Sequence, residues 1–200
     1  MGKELEWKLE VSDLEQLDTI MKWDGLQKYL AEAPRVCQMQ TTYFDTANRL
    51  LSARNITLRR RMENGCPVVC LKVPLPGKDP SIVRREWELN CDELSTALSR
   101  FLALGAPAVL PDPSALIPVC GAEFLRQAVM LHFPDNSRSE LALDYGSLLG
   151  STRRMPLCEL ELELKAGKPE ASLRLLRSLM SHFGLRVQPL SKYARALALG

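Results

Sequence analysis

Two stretches of this chain alternate charge with apolar side chains: Glu4-Leu5-Glu6-Trp7-Lys8-Leu9-Glu10 and Glu159-Leu160-Glu161-Leu162-Glu163-Leu164-Lys165. In a β-strand successive side chains point to opposite faces, so each stretch sets leucine or tryptophan on one face and a row of carboxylates with a lysine on the other. Neighbouring like charges destabilise a sheet unless something positive sits among them. Carboxylate oxygens are hard ligands, and Mg²⁺ or Mn²⁺ would supply that charge.

Basic residues recur in other strand-like segments: Arg59 and Arg61 on one face, then Lys72, Arg84 beside Glu86, and Arg126, with Asp144 following. Arginine and lysine suit phosphate oxygens, through bidentate forks or as point charges. Carboxylates for a divalent cation together with cations for phosphate describe phosphoryl chemistry. The sequence has neither GxxxxGK[ST] nor GxGxxG, so side chains rather than a backbone cradle must hold the phosphates.

The elements that position these residues follow from periodicity. After the first strand, Ser12-Asp13 starts a helix expected over about 12–30. Strands are expected over 36–45, 56–62, 67–73 and 82–89, with Asn64-Gly65 as a hairpin turn and 74–80 as a loop rich in breakers. A helix runs from about Asp92 to Leu104, and Gly105 with the prolines up to Pro118 reads as an irregular connection. Strands over 126–133, 140–148 and 155–165 come next, then a helix over 171–183 ended by Gly184 and a short last helix from Ser191.

Roughly eight alternating strands tend to close into a barrel, which removes exposed edges. The intervening helices need an apolar surface to pack on, so the leucine faces point outward and the charged faces line the lumen. A lumen crowded with both signs is costly to desolvate and persists only when water, ions and a charged ligand complete it. The fold class expected is α+β: an eight-stranded antiparallel β-barrel with flanking α-helices, one domain over 1–200.

Composition narrows the class further. The 200 residues are 46% hydrophobic and 25% charged, which fits one globular domain, and a net charge of +2 gives no bulk argument for nucleic acid. The acidic N-terminus is unlike a secretory signal, its Met1-Gly2 start lacks the Ser or Thr of a myristoylation site, and no apolar run is long enough to span a membrane. A soluble cytoplasmic protein is expected, with neither nucleic acid nor membrane as partner. The six cysteines are scattered without a CxxC pair and read as small, partly buried hydrophobes. His132 and His182 have no nearby ligand partner and read as structural or exposed.

These residues resemble the CYTH superfamily of triphosphate tunnel metalloenzymes. Its ExExK signature appears as Glu4-Leu5-Glu6-Trp7-Lys8, followed in family order by Tyr43-Phe44-Asp45-Thr46, Leu58-Arg59-Arg60-Arg61, Leu71-Lys72, Arg84-Arg85-Glu86, Arg126, Leu143-Asp144, Glu161-Leu162-Glu163 and Ser191-Lys192. Cys158 to Lys165, Gly184-Leu185-Arg186 and Leu190 to Arg195 look most like bacterial inorganic triphosphatases. Many of those carry a C-terminal helical CHAD domain; this sequence to Gly200 lacks it and reads as a single-domain member or a fragment.

The resemblance implies a tunnel in which Arg59, Arg61, Lys72, Arg84, Arg126 and Lys192 grip a triphosphate, with Lys8 beside them. It implies that Asp144, Glu161 and Glu163 hold a bridging Mg²⁺ or Mn²⁺, and that Glu4 and Glu6 bind a second cation or orient water. Glu4, Glu6 and Lys8 form the expected catalytic set. Glu159 shares the strand parity of Glu161 and Glu163, so the register of the metal pair stays open by two residues. Tyr43 and Asp45 are expected to serve strand closure and packing. The expected reaction is hydrolysis of inorganic triphosphate to diphosphate and phosphate. The rivals are thiamine triphosphatase, class IV adenylyl cyclase, and a module that binds polyphosphate or nucleotide without cleaving it.

Overall fold

The computed structural model describes residues 2–76 and 83–200, with side chains from Glu4 onward. Strands β1 (Gly2–Glu10), β2 (Arg35–Thr46), β3 (Thr57–Glu63), β4 (Cys66–Pro74), β5 (Val83–Leu89), β6 (Leu116–His132), β7 (Arg138–Leu149) and β8 (Arg154–Ala166) form one antiparallel sheet in the order β5-β4-β3-β2-β6-β7-β8-β1. A β5–β1 pairing closes it into a barrel, so every inner strand edge is satisfied. β1 is the closing strand: Gly2 to Leu5 pair with β5, and Glu6 to Glu10 pair with β8. The two-residue β9 (Arg186–Val187) adds to β1 from outside.

Strand alternation sorts the faces as expected. Leu9, Leu141, Leu160 and Leu162 are fully buried on the outside of the barrel, beneath α1 (Leu14–Lys22) and α4 (Glu170–Phe183), which contribute Leu17, Ile20, Leu175 and Leu179. Each leucine buried this way contributes about 1.5–3 kcal/mol. A second apolar cluster joins Leu58, Leu71 and Trp87 to Leu98 and Phe101 of α3 (Leu94–Ala103). With apolar packing on the outside, the alternate residues Glu4, Glu6 and Lys8 face the lumen.

A third cluster lies where the lumen turns apolar. Met39, Tyr43, Ala122, Phe124, Leu148 and Leu157 from the strands meet Tyr193 and Ala196 of α5 (Lys192–Leu197). This short helix plugs that end of the barrel. Its start is fixed by Ser191, whose hydroxyl accepts a hydrogen bond from the Ala194 backbone N–H at 3.1 Å.

Two expectations about elements need correction. The helix expected over 12–30 is two helices, α1 and α2 (Asp24–Gln27), separated by Trp23 in an extended conformation. The Trp23 ring stacks on His182 at 5.0 Å and meets Phe183 edge-on at 5.7 Å, and it covers Gly25 so closely that a Cβ there would lie 2.2 Å from the ring. Packing on α4 therefore outweighs continuation of the helix. The stretch before Arg126 is not irregular throughout, because β6 begins at Leu116. Pro118 is accommodated beside a β-bulge between Tyr43 and Phe44, one of the few places a strand tolerates proline. The hairpin between β3 and β4 matches expectation, with Asn64 and Gly65 both at positive φ as a type I′ turn requires. The expected loop 74–80 and the expected strand start at 82 fall partly outside the described residues.

Candidate functional site

The barrel lumen holds a cavity of about 140 Å³, roughly ten times what one water molecule needs. Every residue given a phosphate or metal role from sequence lines it except Asp144, which is fully buried: Glu4, Glu6, Lys8, Arg59, Arg61, Lys72, Arg84, Arg126, Glu161, Glu163 and Lys192. They come from β1, β3, β4, β5, β6, β8 and α5, so barrel closure rather than local sequence assembles them.

At the α5 end the charges interlock. Arg126 and Asp144 face each other across β6 and β7, and Arg126 donates to Asp144 from Nε at 2.8 Å and Nη2 at 2.7 Å. Arg126 also donates to Glu161 at 2.5 Å. Lys192 reaches in from the first turn of α5, 2.6 Å from Asp144 and 2.7 Å from Glu161, and it also bonds Glu159. Arg195, one turn later, bonds the other Glu159 oxygen. Burial opposes the charge on Lys192, but Asp144, Glu159 and Glu161 outweigh it and hold the amine above its ordinary pKa. Burial likewise opposes the charge on Glu161, yet Lys192 and Arg126 keep its carboxyl well below the usual range.

Asp144, Glu159 and Glu161 each offer an oxygen within 4.8 Å of the others, the closest group of potential metal ligands among the described residues. All three donors are carboxylates, the ligand set that Mg²⁺ and Mn²⁺ favour. The register is set by β7 against β8: Asp144 opposes Glu159, while Glu163 opposes Glu140 and is bonded by Lys165 at 2.6 Å. Glu159, unassigned in sequence, thus sits with Asp144, and Glu163 sits further along the lumen.

Toward the other end, Lys72 donates to Glu4 and lies 3.6 Å from Glu86. Burial would raise the Glu4 pKa, but Lys72 and a bond with Glu6 bring it down to about 2. Glu6 behaves oppositely: burial and the charge of Glu161 push its carboxyl up to about 8, although Lys8 lies 3.6 Å away. Arg61 pairs with Glu63 and Glu88, and Arg84 opposes Glu4 across β5 and β1. The Arg59 guanidinium is enclosed beside Tyr43 and Cys70, and its Nε is a buried donor with no hydrogen-bond partner. Cys70 donates to Glu86 at 2.9 Å, and burial pushes its thiol up to about 12, which suits a packed side chain rather than a nucleophile.

A family model described as the CYTH domain matches residues 2–197. The chain belongs to the CYTH family. An inorganic triphosphatase of Haemophilus influenzae is 27% identical over 161 residues, covering 80% of this chain and 45% of that protein, so the chain spans about half the length of this relative. A CYTH-like fold recurs in a Hippeastrum protein described as a candidate adenylyl cyclase with a dominant triphosphatase activity: TM-score 0.62, 18% identity, 99% of this chain and 96% of that one. It recurs in a candidate adenylate cyclase of Bacillus halodurans, with TM-score 0.60, 19% identity and 96% of both chains covered. Both likenesses bear on the fold.

Within this CYTH barrel several lumen residues carried no chemical signal in sequence. Phe124, Tyr193 and Glu140 line the cavity. Asp45 does serve packing, with a specific target. Its fully buried carboxylate accepts the backbone N–H groups of Thr46 at 2.8 Å, Leu51 at 2.9 Å and Ser52 at 3.0 Å, and the Tyr193 hydroxyl at 3.3 Å. Asp45 therefore ties the turn after β2 to α5, the helix that delivers Lys192. Burial works against its charge, but the Leu51, Ser52 and Thr46 amides hold its pKa below the ordinary value. Arg60, Arg85 and Arg154 lie outside the lumen; Arg60 and Arg154 meet Asp92 and Glu123 at the surface.

Proposed function

We propose that this lumen hydrolyses inorganic triphosphate to diphosphate and phosphate in the presence of Mg²⁺ or Mn²⁺. One observation carries the reading: the same enclosed space holds a buried Arg59 donor without a partner and a Glu6 carboxyl forced up to about 8. The first calls for an anionic oxygen and the second for a cation. A metal-bound triphosphate supplies both.

In this proposal Arg59, Arg61, Lys72, Arg84, Arg126 and Lys192 take the phosphate oxygens, with Lys8 beside them, and exchange carboxylate partners for phosphate. Asp144, Glu159 and Glu161 hold one divalent cation, with Glu163 toward the opposite end of the same carboxylate row. Glu4 and Glu6 hold a second or orient water. A bound divalent cation would neutralise charge on the phosphate oxygens and favour ionisation of water. Glu6, with Lys8 nearby, then orients the attacking water and receives its proton as oxygen bonds to the terminal phosphorus. The bond from that phosphorus to the bridging oxygen breaks, and the cationic wall stabilises the departing diphosphate.

The relative named an inorganic triphosphatase supports this choice of substrate. The free cysteines fit a reducing compartment, and we place the protein in the cytoplasm; no described helix is long and apolar enough to cross a membrane. The test is phosphate release from inorganic triphosphate, thiamine triphosphate, ATP and long-chain polyphosphate, each with Mg²⁺ and Mn²⁺. The proposal expects inorganic triphosphate to lead by at least about tenfold in kcat/KM, about 1.4 kcal/mol of discrimination. An organic triphosphate in the lead reassigns the substrate. Tight binding without release would leave a binding module.

A further inference from the structure

Phe124 lies where the charged lining of the lumen meets the apolar cluster of Met39, Tyr43 and Tyr193. Its side chain is 7% exposed, and two of the cations assigned to phosphate flank its ring: the Arg126 guanidinium carbon at 5.7 Å and the Lys192 amine at 5.2 Å from the centroid. Both distances fall within the range where a ring face attracts a cation. One cation comes from the same strand and the other from α5, so the ring is a common support for two separately delivered charges.

The surrounding backbone makes room for it. Gly146 opposes Phe124 across β6 and β7, and a Cβ there would lie 2.2 Å from the Glu123 carbonyl oxygen and 2.7 Å from the Phe124 Cβ. Only a residue without a side chain allows β7 to approach this closely. Met39 occupies the opposing position on β2.

The ring differs in kind from the other partners of Arg126 and Lys192. Those are Asp144, Glu159 and Glu161, carboxylates that a divalent cation would claim and that cancel the charge they hold. An aromatic face is neutral and does not ligate Mg²⁺ or Mn²⁺, so it can keep hold of both cations while leaving their charge for phosphate. We propose that Phe124 is a positioning residue that holds Arg126 and Lys192 in place as they exchange their carboxylate partners for phosphate. The proposal rests on the phosphate role given to these two cations above.

Substitution at constant burial separates this role from packing. Phe124→Leu and Phe124→Met keep apolar volume and lose the ring face, while Phe124→Tyr keeps the face. Inorganic triphosphate is titrated calorimetrically into each full-length protein in EDTA, with thermal unfolding as the control for folding. Phe124→Leu and Phe124→Met are expected to weaken binding by about tenfold, and Phe124→Tyr to stay within about threefold of wild type. With Mg²⁺ present, the aliphatic variants should raise KM by a similar factor while kcat changes less. If Phe124→Leu does not fold, the Met and Tyr pair carries the comparison. Folded aliphatic variants that bind like wild type, or Tyr and Met variants weakened alike, overturn the proposal. Wild-type protein that does not bind triphosphate instead overturns the functional reading beneath it.

Discussion

Replacing Lys192 with methionine should destabilise the protein strongly and make it more dependent on divalent cations. The side chain is 6% exposed, and its amine lies 2.6 Å from Asp144 and 2.7 Å from Glu161, with Glu159 also bonded to it. Methionine keeps most of the apolar stem but leaves three carboxylates with oxygens within 4.8 Å, and only Arg126 and Arg195 to offset them. Breaking a buried ion pair by removing one partner costs about 3–5 kcal/mol. For a chain of 200 residues each kcal/mol moves Tm by about 2–4 °C, so the melt in EDTA should fall by about 6–20 °C. The Lys192 pKa is raised in the folded state, so its contribution is fully present below the ordinary lysine value and is lost only in strong alkali. The loss should therefore be the same from neutral pH to mildly alkaline pH. Millimolar Mn²⁺ should raise the Tm of the variant more than that of wild type, because the carboxylates no longer have the amine competing for them. The assay is thermal unfolding by circular dichroism with EDTA and with Mn²⁺. A variant within about 2 °C of wild type in EDTA, or equal Mn²⁺ shifts in both proteins, would refute the reasoning.

Two further outcomes follow from individual groups. The Glu6 pKa is raised from 4.5 to about 8 on folding, so the folded state keeps its proton longer and stability of the metal-free protein should fall as pH rises through that window. The drop attributable to Glu6 is at most about 5 kcal/mol, and Glu6→Gln should flatten the profile in urea unfolding; parallel profiles for the two proteins would exclude this origin. Asp45→Ala removes the acceptor of three backbone N–H groups and the Tyr193 hydroxyl, and should cost at least about 3 kcal/mol in urea unfolding, with Tyr193→Phe costing about 1 kcal/mol. An Asp45→Ala loss below that of Tyr193→Phe would show that water replaces the carboxylate.

The barrel was legible because period-two alternation is a strong signal: the residues that make Glu4, Glu6 and Lys8 a charged row make Leu5, Trp7 and Leu9 an apolar one. Lumen polarity followed from the need of α1, α3 and α4 for apolar strand faces. Register was harder. Which of Glu159, Glu161 and Glu163 faces Asp144 depends on the β7–β8 hairpin, whose strand ends, expected at 148 and 155, pair 144 with 159. The first half of β6 was hidden by Pro118 and Gly121, whose places depend on a bulge in β2 and on close approach to the Thr41 carbonyl. The break at Trp23 comes from His182 and Phe183, about 160 residues away in sequence, which local periodicity does not see. Phe124 and Tyr193 belong to the apolar cluster at the α5 end of the barrel, yet the same packing sets the charges above them.

The central claim is that this lumen cleaves inorganic triphosphate with a divalent cation. Phosphorus NMR of purified protein with inorganic triphosphate and Mg²⁺ or Mn²⁺ addresses it directly. The account predicts equimolar diphosphate and phosphate growing as triphosphate disappears, with turnover abolished by EDTA and restored by excess cation. Persistence of triphosphate with either cation, or undiminished cleavage in EDTA, would contradict it.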